Sequence, residues 1–405
     1  MAVATAAAVS QAASQSPTTA LRQRVETILS TNESELIAFR RDLHQHPEVS
    51  GAEQRTSGLV AERLRRLGLE VTTGIGGHGV VAVLRGAKPG PLLAYRADMD
   101  AVPSNDPDPV EFRSLTPGVR HICGHDLHTT IGLALAEALA AVRNELAGTV
   151  MFLFQPAEER ATGAKAMLAD GVFARAKPVA IFAVHTSPLP VGRLGTRSGV
   201  MMPGRDFITV TMSGTGNLQA AADSARRIIE AVGTITPAQA VAPGPDGFVF
   251  AQVRAPRSAG AGTWVVEGSL TIASPAVRAE TRATILRRLA GLATGGVTVA
   301  SDYQVKAIAG IDNDSALTAL ANASVRAAMG EETVVPVNAI IPGFSEDFGS
   351  FQAQVPGVFY FLGVANAAKG WAGMPHSPGY VADEGAILVA ARAMAAVILD
   401  RLSPP

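Results

Sequence analysis

The stretch Val150-Met151-Phe152-Leu153-Phe154-Gln155-Pro156-Ala157-Glu158-Glu159 decides how this chain is read. An unbroken apolar run means that neither face of the strand meets water, and the polar residues that follow mark where it leaves the core. Such a strand belongs inside a sheet covered by helices on both sides. The same pattern recurs. Leu92 to Tyr95 leads into Arg96-Ala97-Asp98-Met99-Asp100, and Val179 to Val184 leads into His185. Val80 to Leu84 and Gly357 to Leu362 are further apolar strands. Between them lie helical patterns: Leu21 through Ile37 to Leu43, Thr56 to Leu67 stopped by Gly68, Ile131 to Val142, Ala316 to Met329 and Glu384 to Leu402. This alternation predicts an α/β fold with a mostly parallel sheet and helices on both faces.

The middle of the chain has a different order. Strand Phe207–Met212, helix Ala220–Val232, strands Gly247–Arg254 and Trp264–Ala273, helix Pro275–Leu292 and strand Val297–Val305 spell β-α-β-β-α-β, a ferredoxin-like unit. The expected organisation is a disordered leader at 1–17, a catalytic domain from 18–200 and 309–405, and an inserted domain at 201–308.

With 405 residues, a net charge of −1 and 17% charged residues, the chain lacks the basic clustering of a nucleic-acid or anionic-membrane binder. No run approaches the roughly 18 apolar residues that span a bilayer. The Ala-, Ser-, Gln- and Thr-rich start lacks the charged region of a signal peptide. Low cysteine content fits the cytoplasm, with a periplasmic or secreted location after signal removal as the alternative.

In an open α/β sheet, ligands gather outside the carboxyl ends of the strands. Asp98, Asp100, Glu158, Glu159 and His185 all follow strands in this way. The chain's one cysteine lies in His121-Ile122-Cys123-Gly124-His125-Asp126, and Met374-Pro375-His376-Ser377-Pro378 offers a further imidazole. Carboxylates, imidazoles and a thiolate suit zinc, manganese or a related first-row ion. There are enough of them for two ions about 3.5–4 Å apart. Neighbouring side chains on an extended segment point apart, so of Glu158 and Glu159 one can bind metal while the other faces a water.

The strings DLHQHPE (42–48), YRADMDAVP (95–103), HICGHDLHT (121–129), FQPAEE (154–159), VHTSPLPVGRLGTRSG (184–199), SEDFG (345–349) and HSPGY (376–380) resemble the metal-dependent aminoacylase/carboxypeptidase amidohydrolases. The branch they resemble is that of hippurate hydrolase and the indoleacetyl-amino-acid hydrolases. The similarity runs in order from about 20 to 402. It implies Cys123, His125, Glu159, His185 and His376 as ligands of two divalent ions (Zn or Mn, with Co or Ni admitted). It implies Glu158 as the general acid/base. The inserted domain would serve as a lid and in a homodimer, and the substrate would be an N-acyl amino acid or a dipeptide-like molecule. Asp98 and Asp100 stand where sister branches carry a ligand histidine and its orienting aspartate, so they read as support for the ligands or as an occasional ligand. His121 and His128 read as hydrogen-bond partners of the ligands, His44 and His46 as helix-end groups. Glu346 and Asp347 either buttress the site or cap a helix.

One departure stands out. The branch carries a Gly-Gly-His loop in its inserted domain, whose histidine reaches a neighbouring subunit's site. Here the stretch is Gly214-Thr215-Gly216-Asn217-Leu218, and no histidine occurs between His185 and His376. Losing an oxyanion donor typically costs about 100- to 1000-fold in turnover. Asn217 is the nearest replacement, against its alternative role as a turn residue or helix cap. Arg205 reads either as an anchor for a substrate carboxylate or as a surface residue. The leading expectation is amide hydrolysis. The alternatives are a family member that binds metal and ligand with weakened turnover, or a hydrolase of a non-peptide amide.

Overall fold

The computed structural model describes residues 17–402 apart from 243 and 245. The expected leader therefore lies, but for residue 17, outside the described residues. A main sheet of eight strands runs in the order Glu70–Ile75, Gly79–Arg85, Ala147–Gln155, Lys88–Asp98, Ala180–Pro190, Gly357–Ala365, Leu194–Thr196, Val334–Pro336. Its centre is parallel. Lys88–Asp98 pairs in parallel with Ala147–Gln155 on one side and with Ala180–Pro190 on the other, and Gly357–Ala365 continues parallel to Ala180–Pro190. Antiparallel pairs close the sheet on the Glu70 side.

The decisive strand explains its own composition. Val150, Phe152 and Phe154 pack into one core cluster. Met151 and Leu153 point the other way and pack into a second. Each side chain is 5% exposed or less, and burying one the size of Phe contributes about 1.5–3 kcal/mol. The first core is covered by the long helices, His125–Ala141 and Ala386–Leu402 among them, and the second by the short helices Gly163–Ala169 and Gly349–Gln352. His125–Ala141 is itself enclosed by the helices Pro17–Thr31, Glu33–Gln45, Gln54–Arg66 and Ala386–Leu402. That is why its Ala- and Leu-rich sequence has almost no polar stripe.

A second, antiparallel sheet takes Val249–Val253, Thr263–Ile272, Gly204–Gly214 and Val297–Ile308 in that spatial order, with Arg257–Ser258 added beside Thr263–Ile272. Helices Leu218–Glu230 and Pro275–Ala290 lie on one face, over Ile208, Val210, Met212 and Val266. The order and the two helices are those of a ferredoxin-like unit. The chain enters and leaves it side by side, where Gly199–Met202 pairs with Ile311–Asn313. Among the described residues no helix is long and apolar enough to cross a membrane.

Candidate metal centre

Lys88–Asp98 is the first strand of the parallel centre, and its neighbours lie on opposite sides of it. The strand order therefore reverses there, and a crevice opens at the carboxyl ends. Asp98 ends this strand and Asp100 lies two residues beyond it, Glu158 and Glu159 follow Ala147–Gln155, and His185 lies midway along Ala180–Pro190. His376 comes in on the loop after Gly357–Ala365, with φ +57 and its backbone N–H donating 2.8 Å to Ile122 O.

Cys123 and His125 are placed by Gly124, the residue before helix His125–Ala141. Gly124 has φ +86, and a Cβ there would strike Tyr380 Oη and lie 2.6 Å from Thr186 Cγ2. The helix starts at His125, six residues before the Ala/Leu pattern begins, because the left-handed glycine lets the chain turn without a capping side chain. Gly124→Ala is expected to destabilise the fold by about 2–5 kcal/mol, combining a left-handed alanine with overpacking. Urea unfolding of the two proteins measures it.

The donor atoms converge. Those of Cys123, His125 and His185 lie within 4.8 Å of one another, as do those of Cys123, Glu159 and His376, and those of His125, Glu158 and Glu159. Cys123 Sγ is 3.2 Å from His185 Nε2, and His376 Nε2 is 3.3 Å from Glu159 Oε1. His185 Nδ1 lies 2.9 Å from Thr186 O and donates to it, which leaves the Nε2 lone pair facing the thiol. His125 Nδ1 lies 3.3 Å from Asp100 Oδ1, while Nε2 lies 3.9 Å from Glu158 Oε2 and 3.8 Å from Glu159 Oε1. His125 Nε2 and Glu159 Oε1 are buried without a hydrogen-bond partner. Nitrogen, oxygen and sulfur atoms gathered on one small volume, the first two including orphaned ones, suit a borderline-soft divalent cation. Cys123, which belongs to two of the sets, stands where a thiolate can serve two ions.

A second layer fixes the first. Asp100 accepts from the backbone N–H of Glu158 at 3.1 Å and of Glu159 at 3.0 Å, and from Ser50 Oγ at 2.5 Å. Glu53 accepts from Ala157 N at 2.8 Å and holds that residue at φ +52. Asp98 accepts from His128 Nδ1 at 2.6 Å and from Arg96 at 2.5 Å. His128 Nε2 in turn accepts from Thr186 N at 2.9 Å, so neither ring nitrogen is left for a metal. Arg96, fully buried, also donates 2.8 Å to Gln155 Oε1 and 2.8 Å to Glu346 Oε1, and lies 3.3 Å from Asp347 Oδ1. Glu346 and Asp347 thus buttress the site through Arg96 and Gln155. Arg96→Met would leave three carboxylates buried without their cation, and a loss of about 3–5 kcal/mol in urea-unfolding stability is expected.

The protein alone holds more buried negative groups here than positive ones. Burial, then Glu346 and Glu159, raises the Glu158 carboxyl well above its ordinary range. Burial and the carboxylates of Glu159 and Glu158 do the same to the Cys123 thiol. Asp347 is pushed up to about 7, by burial and Glu346 against the pull of Arg96. His125 rises to about 10: burial opposes its charge, but Asp98 and Asp100 outweigh burial. Each of these groups retains a proton more readily than usual, as expected where cationic charge is in demand.

Cys123, Glu158, Glu159, His185 and His376 line a crevice of about 810 Å³ between the two sheets, whose wall from the second sheet includes Arg205 and Phe207. The structure thus brings Cys123, His125, Glu158, Glu159, His185 and His376 together, with Asp98 and Asp100 behind them. Asn217 is not among them. It is exposed, at the far end of strand Gly204–Gly214, roughly 30 Å along that strand from the crevice at ~3.4 Å per residue, and its side chain accepts from Ala220 N at 3.1 Å. Within one chain it is a helix cap. His46 donates Nδ1 at 2.9 Å to Asp42 O at a helix end, and His44 sits between Asp126 at 2.8 Å and Asp108 at 3.0 Å. Sequence reading did not single out Arg96, Gln155 or Glu53. Arg96 had a signal, a charged residue directly after an apolar strand and two before Asp98; the other two had none.

The profile of peptidase family M20/M25/M40 matches residues 94–400. An N-acetylcysteine deacetylase of Bacillus subtilis is 32% identical over 382 residues, 91% of this chain and 97% of that protein. Thermostable carboxypeptidase 2 of Saccharolobus solfataricus is 31% identical over 380 residues, 89% of this chain and 93% of that one. The crystal structure of the Bacillus subtilis YXEP protein, described as a dinuclear metal-binding peptidase of the M20 family, superimposes with a TM-score of 0.76 at 29% identity, covering 92% of this chain and 99% of that one.

Proposed function

This chain belongs to peptidase family M20/M25/M40, and on that premise we propose that it is a metal-dependent amidohydrolase that cleaves the amide bond of N-acyl amino acids or small peptide-like amides. The observation that carries the reading is the convergence of Cys123, His125, Glu159, His185 and His376 beside the buried carboxyl of Glu158. Cys123, His125 and His185 would face one divalent ion, and Cys123, Glu159 and His376 the other, with zinc or manganese favoured and cobalt or nickel admitted by the same donors. When bound, such ions polarise a carbonyl and acidify water from a pKa of 15.7 towards about 7.

The chain's own residues supply the proton chemistry. Glu158 accepts a proton from the attacking water as the oxygen bonds to the scissile carbonyl carbon. It then gives that proton to the leaving nitrogen as the C–N bond breaks, so the products are the acid and the free amine. Asp100 keeps Glu158 and Glu159 in register by holding both backbone N–H groups. The carboxylates of Asp98 and Glu346 are both held by Arg96 behind the cluster.

Purified protein supplied with Mn²⁺ or Zn²⁺ is expected to release amine from a panel of N-acyl amino acids. Absence of product across the panel would defeat the reading. Calorimetric binding without product would favour the second reading, a metal- and ligand-binding relative with weakened turnover, to which the exposed, helix-capping Asn217 lends support. The unit at 201–308 is proposed as a lid and homodimer contact. Val297–Ile308 is an edge strand of its sheet with one flank unpaired, as edge-to-edge association requires. The low cysteine content supports a cytoplasmic location.

A further inference from the structure

We propose that Arg205 holds the free carboxylate of the substrate, so that the second sheet of the same chain selects N-acyl amino acids as anions. The inference rests on the amidohydrolase reading and adds to it the group that recognises the amino-acid half.

The register of strand Gly204–Gly214 aims Arg205. Asp206, Ile208, Val210 and Met212 are buried, the last three beneath the two helices. Alternation therefore turns Arg205 and Phe207 to the opposite face, where both line the crevice that Cys123, Glu158 and His376 also line. The adjacent carboxylate cannot neutralise Arg205. Asp206 points the other way and is committed to Arg278, to Tyr303 Oη at 3.0 Å and to Lys306 N at 2.7 Å.

What remains to Arg205 is one weak contact. A terminal nitrogen donates 3.3 Å to Gly343 O, and Nε is buried without a partner. Among the described residues no carboxylate pairs with it. The deeply buried guanidiniums are all paired: Arg40 with Asp126, Arg96 with Asp98 and Glu346, Arg120 with Asp108, Arg278 with Asp206. A partly buried guanidinium is a charge that needs a counter-ion. Burial lowers its pKa, yet a guanidinium stays protonated at any working pH. Its planar fork matches a carboxylate bidentately. The other guanidinium that lines the crevice, Arg160, is exposed, and Phe207, Ile308, Phe344 and Phe361 form an apolar wall that suits the hydrocarbon part of a substrate.

The test uses the metal-loaded enzyme with N-acyl amino acids (N-acetyl-L-methionine, N-benzoylglycine), each paired with its uncharged carboxamide. For Arg205→Met, the ratio of kcat/KM for the acid to that for the amide is expected to fall about 10- to 100-fold, carried by KM of the acid, since a charge-assisted hydrogen bond is worth about that factor. Arg205→Lys should recover part of the ratio. An unchanged ratio overturns the proposal. So does an equal fall in kcat for acid and amide, which would put Arg205 at the scissile carbonyl instead. Calorimetry of the acids, with and without Arg205, is read alongside. If wild type turns over neither substrate yet binds the acid, and Arg205→Met does not, the hydrolase reading fails while the carboxylate site stands. If both proteins bind it equally, the carboxylate site fails.

Discussion

Replacing Glu158 with glutamine is expected to lower kcat by about 10²- to 10⁴-fold, the usual contribution of a positioned general acid/base, while metal content stays at the wild-type level. The change keeps the shape of the side chain and removes its ability to carry a proton. Glu158 Oε2 lies 3.9 Å from His125 Nε2, at the rim of the donor cluster. Its backbone is fixed by Asp100 and the residue is 7% exposed. Burial and the carboxylates of Glu346 and Glu159 raise its proton affinity, which suits a group that must first accept a proton and then release it. Steady-state kinetics with metal analysis on the same samples checks this. A fall in activity explained by lost metal would move Glu158 into the ligand set.

Cys123→Ala is expected to have a comparably large effect through a different quantity. Cys123 belongs to the donor set with His125 and His185 and also to that with Glu159 and His376. Removing one sulfur therefore weakens both ion positions, and the ions bound per chain should fall from about two to below one, with turnover falling in step. Fold stability should change little by comparison. The thiol of Cys123 is small, and its sulfur meets His185 Nε2 across the cluster. Elemental analysis after dialysis against a fixed metal concentration measures the stoichiometry. A variant that keeps both ions would show that the sulfur is an ordinary buried thiol.

The parts of this molecule that were legible in the sequence are those written locally. Strand 150–154 declares burial on both faces because every residue in it faces one core or the other. Cys123 and His125 declare themselves by spacing, and the order of elements from 207 to 305 carries over into the strand order of the second sheet. What could not be read is relational. Strand Glu70–Ile75 is an edge whose side chains are mostly exposed, so no apolar alternation marks it. Arg96 and Glu346 are 250 positions apart, and only the fold brings them to 2.8 Å. The start of helix His125–Ala141 depends on a left-handed glycine rather than on a capping side chain. Arg205 is informative for the partner it lacks, a property no local pattern contains.

The most direct test of the central claim is metal reconstitution of the wild-type enzyme. The protein is stripped with a chelator and titrated with Mn²⁺ or Zn²⁺ while bound ions and amine release from an N-acyl amino acid are measured together. The account predicts that activity is lost on stripping and returns with the ions, levelling off near two per chain. Activity that survives stripping, or a protein that retains no ion at saturation, would contradict it.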